Sequence, residues 1–265
     1  MKNLLNKAIV IIVLSTVFAG CTSNEEVISG TGNLGLEFDN SFGANDLTLG
    51  TQTNTTSNNE MLKINAVKYI ISNIVLIKED GTTFTYPKGE SYFIVDEATE
   101  SSHLLELINV PAANYTKVKF GIGVDQAQYN LGETSQGAFL AKAQAAAMIG
   151  NWSQGYINLD FEGSFTSSTV TSATNFMVYA KKTAAANNYT EVTLDLPTKA
   201  MVRTTISPEI HIVSDVSKIV DGTTKFKLSD YTMTGMGAMI MDGANLSLIT
   251  ANLTGMYTVA HVHND

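Results

Sequence analysis

Several residues that mark common classes of protein are scarce in this chain. Its 265 residues include one cysteine, four prolines and one tryptophan. The lone cysteine, Cys21, excludes an intramolecular disulfide, and no Pro/Ser-rich linker divides the chain into domains. A Gly-x-Ser-x-Gly motif, a phosphate loop, a His-Glu-x-x-His motif and a cysteine nucleophile are absent. We therefore expect a protein without enzymatic activity.

Basic residues are also few. The chain has 16 Lys and Arg against 25 Asp and Glu, a formal charge of −9. Binding of nucleic acid requires clustered Lys and Arg, so the composition excludes a nucleic-acid partner. An acidic surface suits cations or neutral ligands, and it also serves simply to keep a protein soluble.

The first 20 residues have the pattern of a lipoprotein signal peptide. Lys2 and Lys7 precede a mostly apolar run over residues 8–18, and small residues then lead to Cys21. The run is too short to span a bilayer, so we expect it to be removed and Cys21 to receive the lipid. The sequence thus predicts an outer-membrane lipoprotein facing the periplasm or the cell surface. The alternative is an ordinary secretory signal with a coincidental cysteine.

A short tether and one domain are expected to follow the signal. Residues 21–33 are polar and include Glu25 and Glu26. They resemble the acidic segment after the lipid cysteine of Bacteroidetes surface lipoproteins, and a plain solvated linker explains them nearly as well. The remaining residues, 34–265, have a length that suits a single β-domain.

Strand patterns dominate this domain. Residues 63–77, 115–122 and 201–213 are rich in β-branched and aromatic residues, with turn residues between the strands. One Ala-rich segment, residues 137–149, predicts a short helix. We therefore expect an all-β fold, either an antiparallel β-sandwich or an open barrel, with one short helix.

Histidines supply the candidate metal ligands. His261 and His263 are two residues apart, so on a strand both imidazoles project from one face. Neutral imidazole suits copper, zinc and nickel. His211, on another predicted strand, is either a third ligand or a half-buried polar residue bonded to the backbone. A frayed, solvated chain end is the alternative for His261 and His263.

The only tryptophan opens a further candidate region. Trp152 is a core anchor, an aromatic wall of a site or a redox-active group. In the strand that follows it, Tyr156, Asn158, Asp160 and Glu162 alternate with apolar residues. We expect this polar face to be exposed to solvent.

Several segments together resemble the MbnP-like family, which is named for a periplasmic copper-binding protein encoded near methanobactin genes. They are residues 68–74, 120–125, 148–157, 162–163 and 261–264. In that family, copper is bound by histidines and by a tryptophan that a di-haem partner enzyme oxidises to kynurenine. The resemblance therefore implies a copper site and a di-haem peroxidase-like partner.

The most specific part of the resemblance is a Met-x-Trp-x-Trp-x-x-Gly-Tyr signature. Met148 and Trp152 match it, whereas its first tryptophan falls on Gly150. A further family histidine falls near Ala180. The resemblance therefore implies the fold more fully than it implies the copper site.

Our first hypothesis is a lipid-anchored, non-enzymatic copper-binding protein of the cell envelope. His261 and His263 are its ligands, and His211 is a possible third. Trp152 is an adjacent aromatic or oxidisable wall, and Met148 and Tyr156 line the site with it. The alternative is a surface module without metal that binds a glycan or a protein, with Trp152 and Tyr156 as its stacking platform.

Overall fold

The structure is a computed structural model that describes residues 28–183 and 186–265. The signal peptide, Cys21 and the first part of the tether lie outside these residues. The strands described are β1 Thr31–Phe42, β2 Asn45–Asp46, β3 Asn54–Thr55, β4 Met61–Lys78, β5 Thr83–Thr85, β6 Tyr92–Asp96, β7 Leu104–Pro111, β8 Ala113–Ile122, β9 Ile157–Thr166, β10 Thr174–Lys181, β11 Thr190–Val202, β12 Glu209–Asp215, β13 Thr232–Met233, β14 Gly237–Ile240 and β15 Tyr257–His263. The helices are α1 Gln126–Asn130, α2 Ala138–Ala145, α3 Lys218–Asp221 and α4 Asn245–Leu253.

These strands form two sheets. The smaller has the order β15–β12–β1–β2, with β7 also paired to β1. The larger has the order β11–β8–β4–β9–β10–β14–β13, with β3, β5 and β6 also paired to β4. The all-β prediction is confirmed. The sheets are not purely antiparallel, however, because the pairs β1–β12 and β10–β14 are parallel.

Large aromatic side chains join the two sheets in the core. Phe38 of the smaller sheet makes edge-to-face contacts with Tyr69 and Phe120 of the larger sheet, at centroid distances of 6.1 and 5.5 Å. Tyr257 of β15 packs against Phe38 and Phe120 in the same way, at 6.1 and 5.2 Å. Because the inner faces of the sheets are packed together, alternate residues of β1, β12 and β15 turn to the outside.

The helices differ from the prediction. The expected helix over 137–149 is α2, and it ends at Ala145. Ala147 has a φ of +59°, and Ile149 then forms a β-bridge with Tyr156, so the chain leaves the helical path early. The prediction missed α1, α3 and α4. None of the helices in the described residues is both long and apolar enough to span a membrane.

Candidate metal centre

Two adjacent strands of the smaller sheet, β12 and β15, bring the predicted histidines together, and a third strand, β1, adds a carboxylate. In the β12–β15 pair, His211 lies opposite His261 and Glu209 lies opposite His263. On the other side of β12, strand β1 places Glu37 beside His211. Directly opposed side chains on one face of a sheet lie about 5 Å apart. The register therefore gathers five polar side chains on the outer face of this sheet.

The apolar neighbours of these residues turn them outward. Side chains alternate between the two faces along a strand, and the residues that flank Glu37 and His211 belong to the core. These flanking residues, Leu36, Phe38, Ile210 and Ile212, are fully buried. Burial of the apolar positions thus determines that Glu37 and His211 share the solvent face.

A β-bulge orients the terminal histidines. The register passes from His211 opposite His261 to Ile212 opposite Val259, so Ala260 is the extra residue of the bulge. If the strand alternated strictly through Ala260, the side chains of residues 259 and 261 would lie on the same face. Val259 packs against the core, so His261 would then face inward as well. The bulge therefore turns His261 to the outside while Val259 faces inward.

The three imidazole rings form a compact group. His211 and His261 are stacked, with ring centroids 4.2 Å apart and planes inclined by 22°. His263 meets both rings edge-on, at centroid distances of 5.0 and 4.7 Å. One possible ligand atom of each lies within 4.8 Å of the other two. Metal–nitrogen bonds are about 2 Å long, so nitrogens that share an ion lie at most about 4 Å apart, and side-chain rotations would have to bring these three closer together.

Carboxylates surround the ring of His211. Its Nδ1 lies 2.5 Å from Oε2 of Glu37 and 3.9 Å from Oδ2 of Asp39. Its Nε2 lies 2.9 Å from Oε1 of Glu209. Glu37, Asp39 and His211 form a second group of three possible ligands within 4.8 Å of one another. None of these carboxylates was predicted as a ligand from the sequence; the only signal for Glu37 and Asp39 is their alternation with the apolar residues of β1.

The electrostatics of this group favour a cation. Burial raises the pKa of the Glu37 carboxyl; His211 opposes this shift, whereas Asp39 and Glu209 add to it. Oε2 of Glu37 is enclosed, with Nδ1 of His211 2.5 Å away. Desolvation, then the neighbouring imidazoles, lower the pKa of His261. The group therefore offers imidazole nitrogens and carboxylate oxygens on one patch, and both are donors that a metal ion requires.

Trp152 belongs to a different part of the molecule. It lies in a 3₁₀ turn just before β9, stacked on Tyr129 at 4.6 Å with the ring of Tyr156 edge-on at 6.0 Å. It packs against a small hydrophobic cluster on the larger sheet that includes Met148. Among the described residues, no ring contact links Trp152 to His211, His261 or His263. The expected aromatic wall is therefore not formed beside the histidines, because the two groups belong to different sheets.

The side chains expected to line a site with Trp152 are internal. Met148 is fully buried and Tyr156 is only 2% exposed. The Tyr156 hydroxyl donates to Oε1 of Gln136 at 3.3 Å, and one face of the indole of Trp152 is covered by Tyr129. Trp152 and Tyr156 therefore do not form the exposed stacking platform of the alternative hypothesis.

The polar face of β9 is buried, so the prediction of a solvent-exposed face is wrong for its central residues. Nδ2 of Asn158 donates to the carbonyl oxygen of Asn188 at 2.9 Å, which closes the chain over this face. Asp160 is 9% exposed, and its Oδ1 has no hydrogen-bond partner among the described residues. Burial raises the pKa of Asp160 to about 6; Glu162 adds to the shift and Lys68 opposes it.

The fold and the candidate centre define a class: a two-sheet, all-β protein with a histidine–carboxylate group suited to a metal cation. The family model described as MbnP matches residues 31–240, and the chain belongs to this family. The expected resemblance is thus confirmed. His211 lies inside the matched residues, whereas His261 and His263 follow them.

The chain is also similar in structure to MbnP from Methylosinus trichosporium. The two share 11% sequence identity over 81% of this chain and 82% of that one, with a TM-score of 0.47. No curated protein sequence matches the chain.

Proposed function

We propose that this protein binds copper through His211, His261 and His263. The observation that carries the proposal is the register of β12 with β15, which gathers three imidazoles with ligand atoms within 4.8 Å of one another. Imidazole binds copper, zinc and nickel well. Membership of the MbnP family, which is associated with methanobactin copper, favours copper among these metals. Trp152 lies outside the proposed site.

We further propose that the protein acts in the cell envelope and is not an enzyme. Lipid attachment at Cys21 would hold it on the outer membrane, and its role would be to hold or transfer copper. The missing catalytic motifs support a role without chemistry on a substrate. A di-haem peroxidase-like partner is carried over from the family resemblance alone.

Copper binding by the full-length protein tests the proposed site. We expect one copper ion per chain in equilibrium dialysis. A double variant with His261→Ala and His263→Ala should lose at least roughly 100-fold in affinity, since it lacks two of three nitrogen ligands. His103→Ala is the control, because this histidine contacts Glu97 and the backbone of Asp96. Unchanged affinity in the double variant would contradict the proposed ligands.

The anchor is tested separately. In the native host, Cys21→Ser should move the protein from the membrane fraction to the soluble fraction. Intact mass of the wild-type protein should show the added acyl groups. Retention of Cys21→Ser on the membrane, with no lipid mass on the wild type, would contradict the lipoprotein assignment.

A further inference from the structure

Resting on the proposed copper-binding function, we infer that this site selects a divalent cation, Cu(II) in preference to Cu(I). The inference adds Glu37 and Glu209 to the ligand set as oxygen donors. It concerns which form of copper the site accepts, and it stands or falls separately from the histidine ligands.

A metal ion bound by His211 would also lie close to a carboxylate oxygen. The two ring nitrogens of His211 lie 2.5 Å from a Glu37 oxygen and 2.9 Å from a Glu209 oxygen. An ion bound at Nδ1 is therefore within reach of Glu37, and an ion bound at Nε2 is within reach of Glu209. Whichever nitrogen of His211 binds the metal, a carboxylate oxygen is already beside it.

The charge of the site favours a dication. Glu37, Asp39 and Glu209 are gathered on one patch, and the ion pairs found for them within residues 28–183 and 186–265 are all with His211. The attraction between a carboxylate and a cation is proportional to the charge of the cation, so Cu(II) gains twice what Cu(I) gains. Oε2 of Glu37, which lies 2.5 Å from Nδ1 of His211, is an oxygen that such an ion would bind.

The donor atoms lead to the same choice. Cu(I) is soft and prefers thiolate and thioether ligands, whereas mixed nitrogen and oxygen ligands in a tetragonal arrangement are typical of Cu(II). Glu37, Glu209 and the three histidines contribute no sulfur. Among divalent ions, such ligands bind Cu(II) more tightly than Zn(II) or Ni(II). The site is therefore matched to oxidised copper.

Gly35 of β1 leaves space for one of these carboxylates. It lies beside Glu209 in the β1–β12 register, as Glu37 lies beside His211. Unlike Glu37, Gly35 places no side chain beside its neighbour on β12. A Cβ at this position would come within 3.1 Å of the Glu209 Cγ and 3.0 Å of the Leu104 side chain. Because Gly35 has no side chain, Glu209 has room over β1, and its carboxyl lies 2.9 Å from Nε2 of His211. Gly35 thus positions Glu209 for the site.

Separate affinities for Cu(II), Cu(I) and Zn(II) test the inference. Each is measured on the full-length protein by competition with a chelator of known affinity, and Cu(I) is measured without oxygen. The variants are Glu37→Gln, Glu209→Gln and their combination. Glu90→Gln, at an exposed position before β6, is the matched control. Circular dichroism checks folding, and the EPR spectrum of the Cu(II) form reports its nitrogen and oxygen ligands.

We expect the double glutamine variant to lose at least about tenfold in Cu(II) affinity and to keep its Cu(I) affinity within about threefold. Equal losses for both ions, or no loss for Cu(II), would overturn the inference. A wild-type protein that binds only Cu(I) through its histidines would also overturn it, while the proposed function would stand. If the wild-type protein bound neither ion, both this inference and the proposed copper-binding function would be wrong.

Discussion

His211 and His261 stack across two neighbouring strands, with ring centroids 4.2 Å apart, because the bulge at Ala260 brings both side chains to the same face. Strand β15 thereby presents its histidines to solvent while Val259 and Val262 pack against the core. The candidate metal centre thus depends on the register of an edge strand with β12 as well as on the histidines themselves.

Changing the length of β15 should test this dependence. Deleting Ala260 removes the bulge, leaves residue 259 inward and residue 261 outward, and keeps His261 opposite His211, so copper binding should be retained. Inserting a second alanine after Ala260 also leaves residue 261 outward by strict alternation, but it shifts His261 and His263 by two residues along β12, so that His261 no longer lies opposite His211. We expect the insertion to lower copper affinity at least about tenfold, because the three imidazoles no longer form one group. Wild-type affinity in a folded insertion variant would contradict this dependence on the register.

Replacing the tryptophan should leave copper binding intact. Trp152 packs against Tyr129 of α1 and against Tyr156, just before β9, and shares no ring contact with the described histidines. Effects at sites without shared contacts are nearly independent, so Trp152→Phe should change copper affinity by less than about twofold. Competition with a copper chelator measures this. A large loss would mean that Trp152 takes part in the site after all.

Buried Asp160 should make stability depend on pH. Its pKa is raised to about 6, so the folded state holds its proton more tightly than the unfolded chain does. Its ionisation therefore costs little stability below about pH 4; the cost grows between about pH 4 and pH 6 and is nearly constant above that. Asp160→Asn should raise the free energy of unfolding by about 2 kcal/mol at pH 7 and by little at pH 4.

Chemical denaturation at the two pH values measures this difference. The control is Asp195→Asn, an exposed carboxyl paired with Lys117, which should change stability by less than about 1 kcal/mol at either pH. A loss of stability in Asp160→Asn at pH 7 would show that the ionised carboxyl has a favourable partner.

Glu60 should be important for stability. It is fully buried, and its two oxygens accept hydrogen bonds from the backbone N–H groups of Leu228 and Ser229, at 2.7 and 2.8 Å. Glu60→Ala leaves the buried N–H of Leu228 and the partly buried N–H of Ser229 without their partner, so we expect a loss of about 3 kcal/mol in the free energy of unfolding. Thermal and urea denaturation test this, with exposed Glu90→Ala as the control. A loss no larger than that of the control would contradict it.

Much of the fold follows from local patterns. Apolar residues that alternate over segments such as 115–122 predict strands because one face of each strand must be buried. The histidine pair at 261 and 263 was recognisable because two residues at this spacing share a face of a strand. The single predicted helix was placed correctly at its start and too late at its end, since the turn at Ala147 has no strong sequence signal.

The sequence alone determined the all-β class, the family and the three candidate histidines, because these depend on periodicity and short motifs. Only the tertiary structure decided which residues meet. Parallel pairing of β1 with β12 brought Glu37 to His211, and burial of Asn158 and Asp160 contradicted a local pattern that predicted exposure. The separation of Trp152 from the histidines was equally undetectable in the sequence. Pairing between strands distant in the chain depends on the packing of the whole core, which no local pattern records.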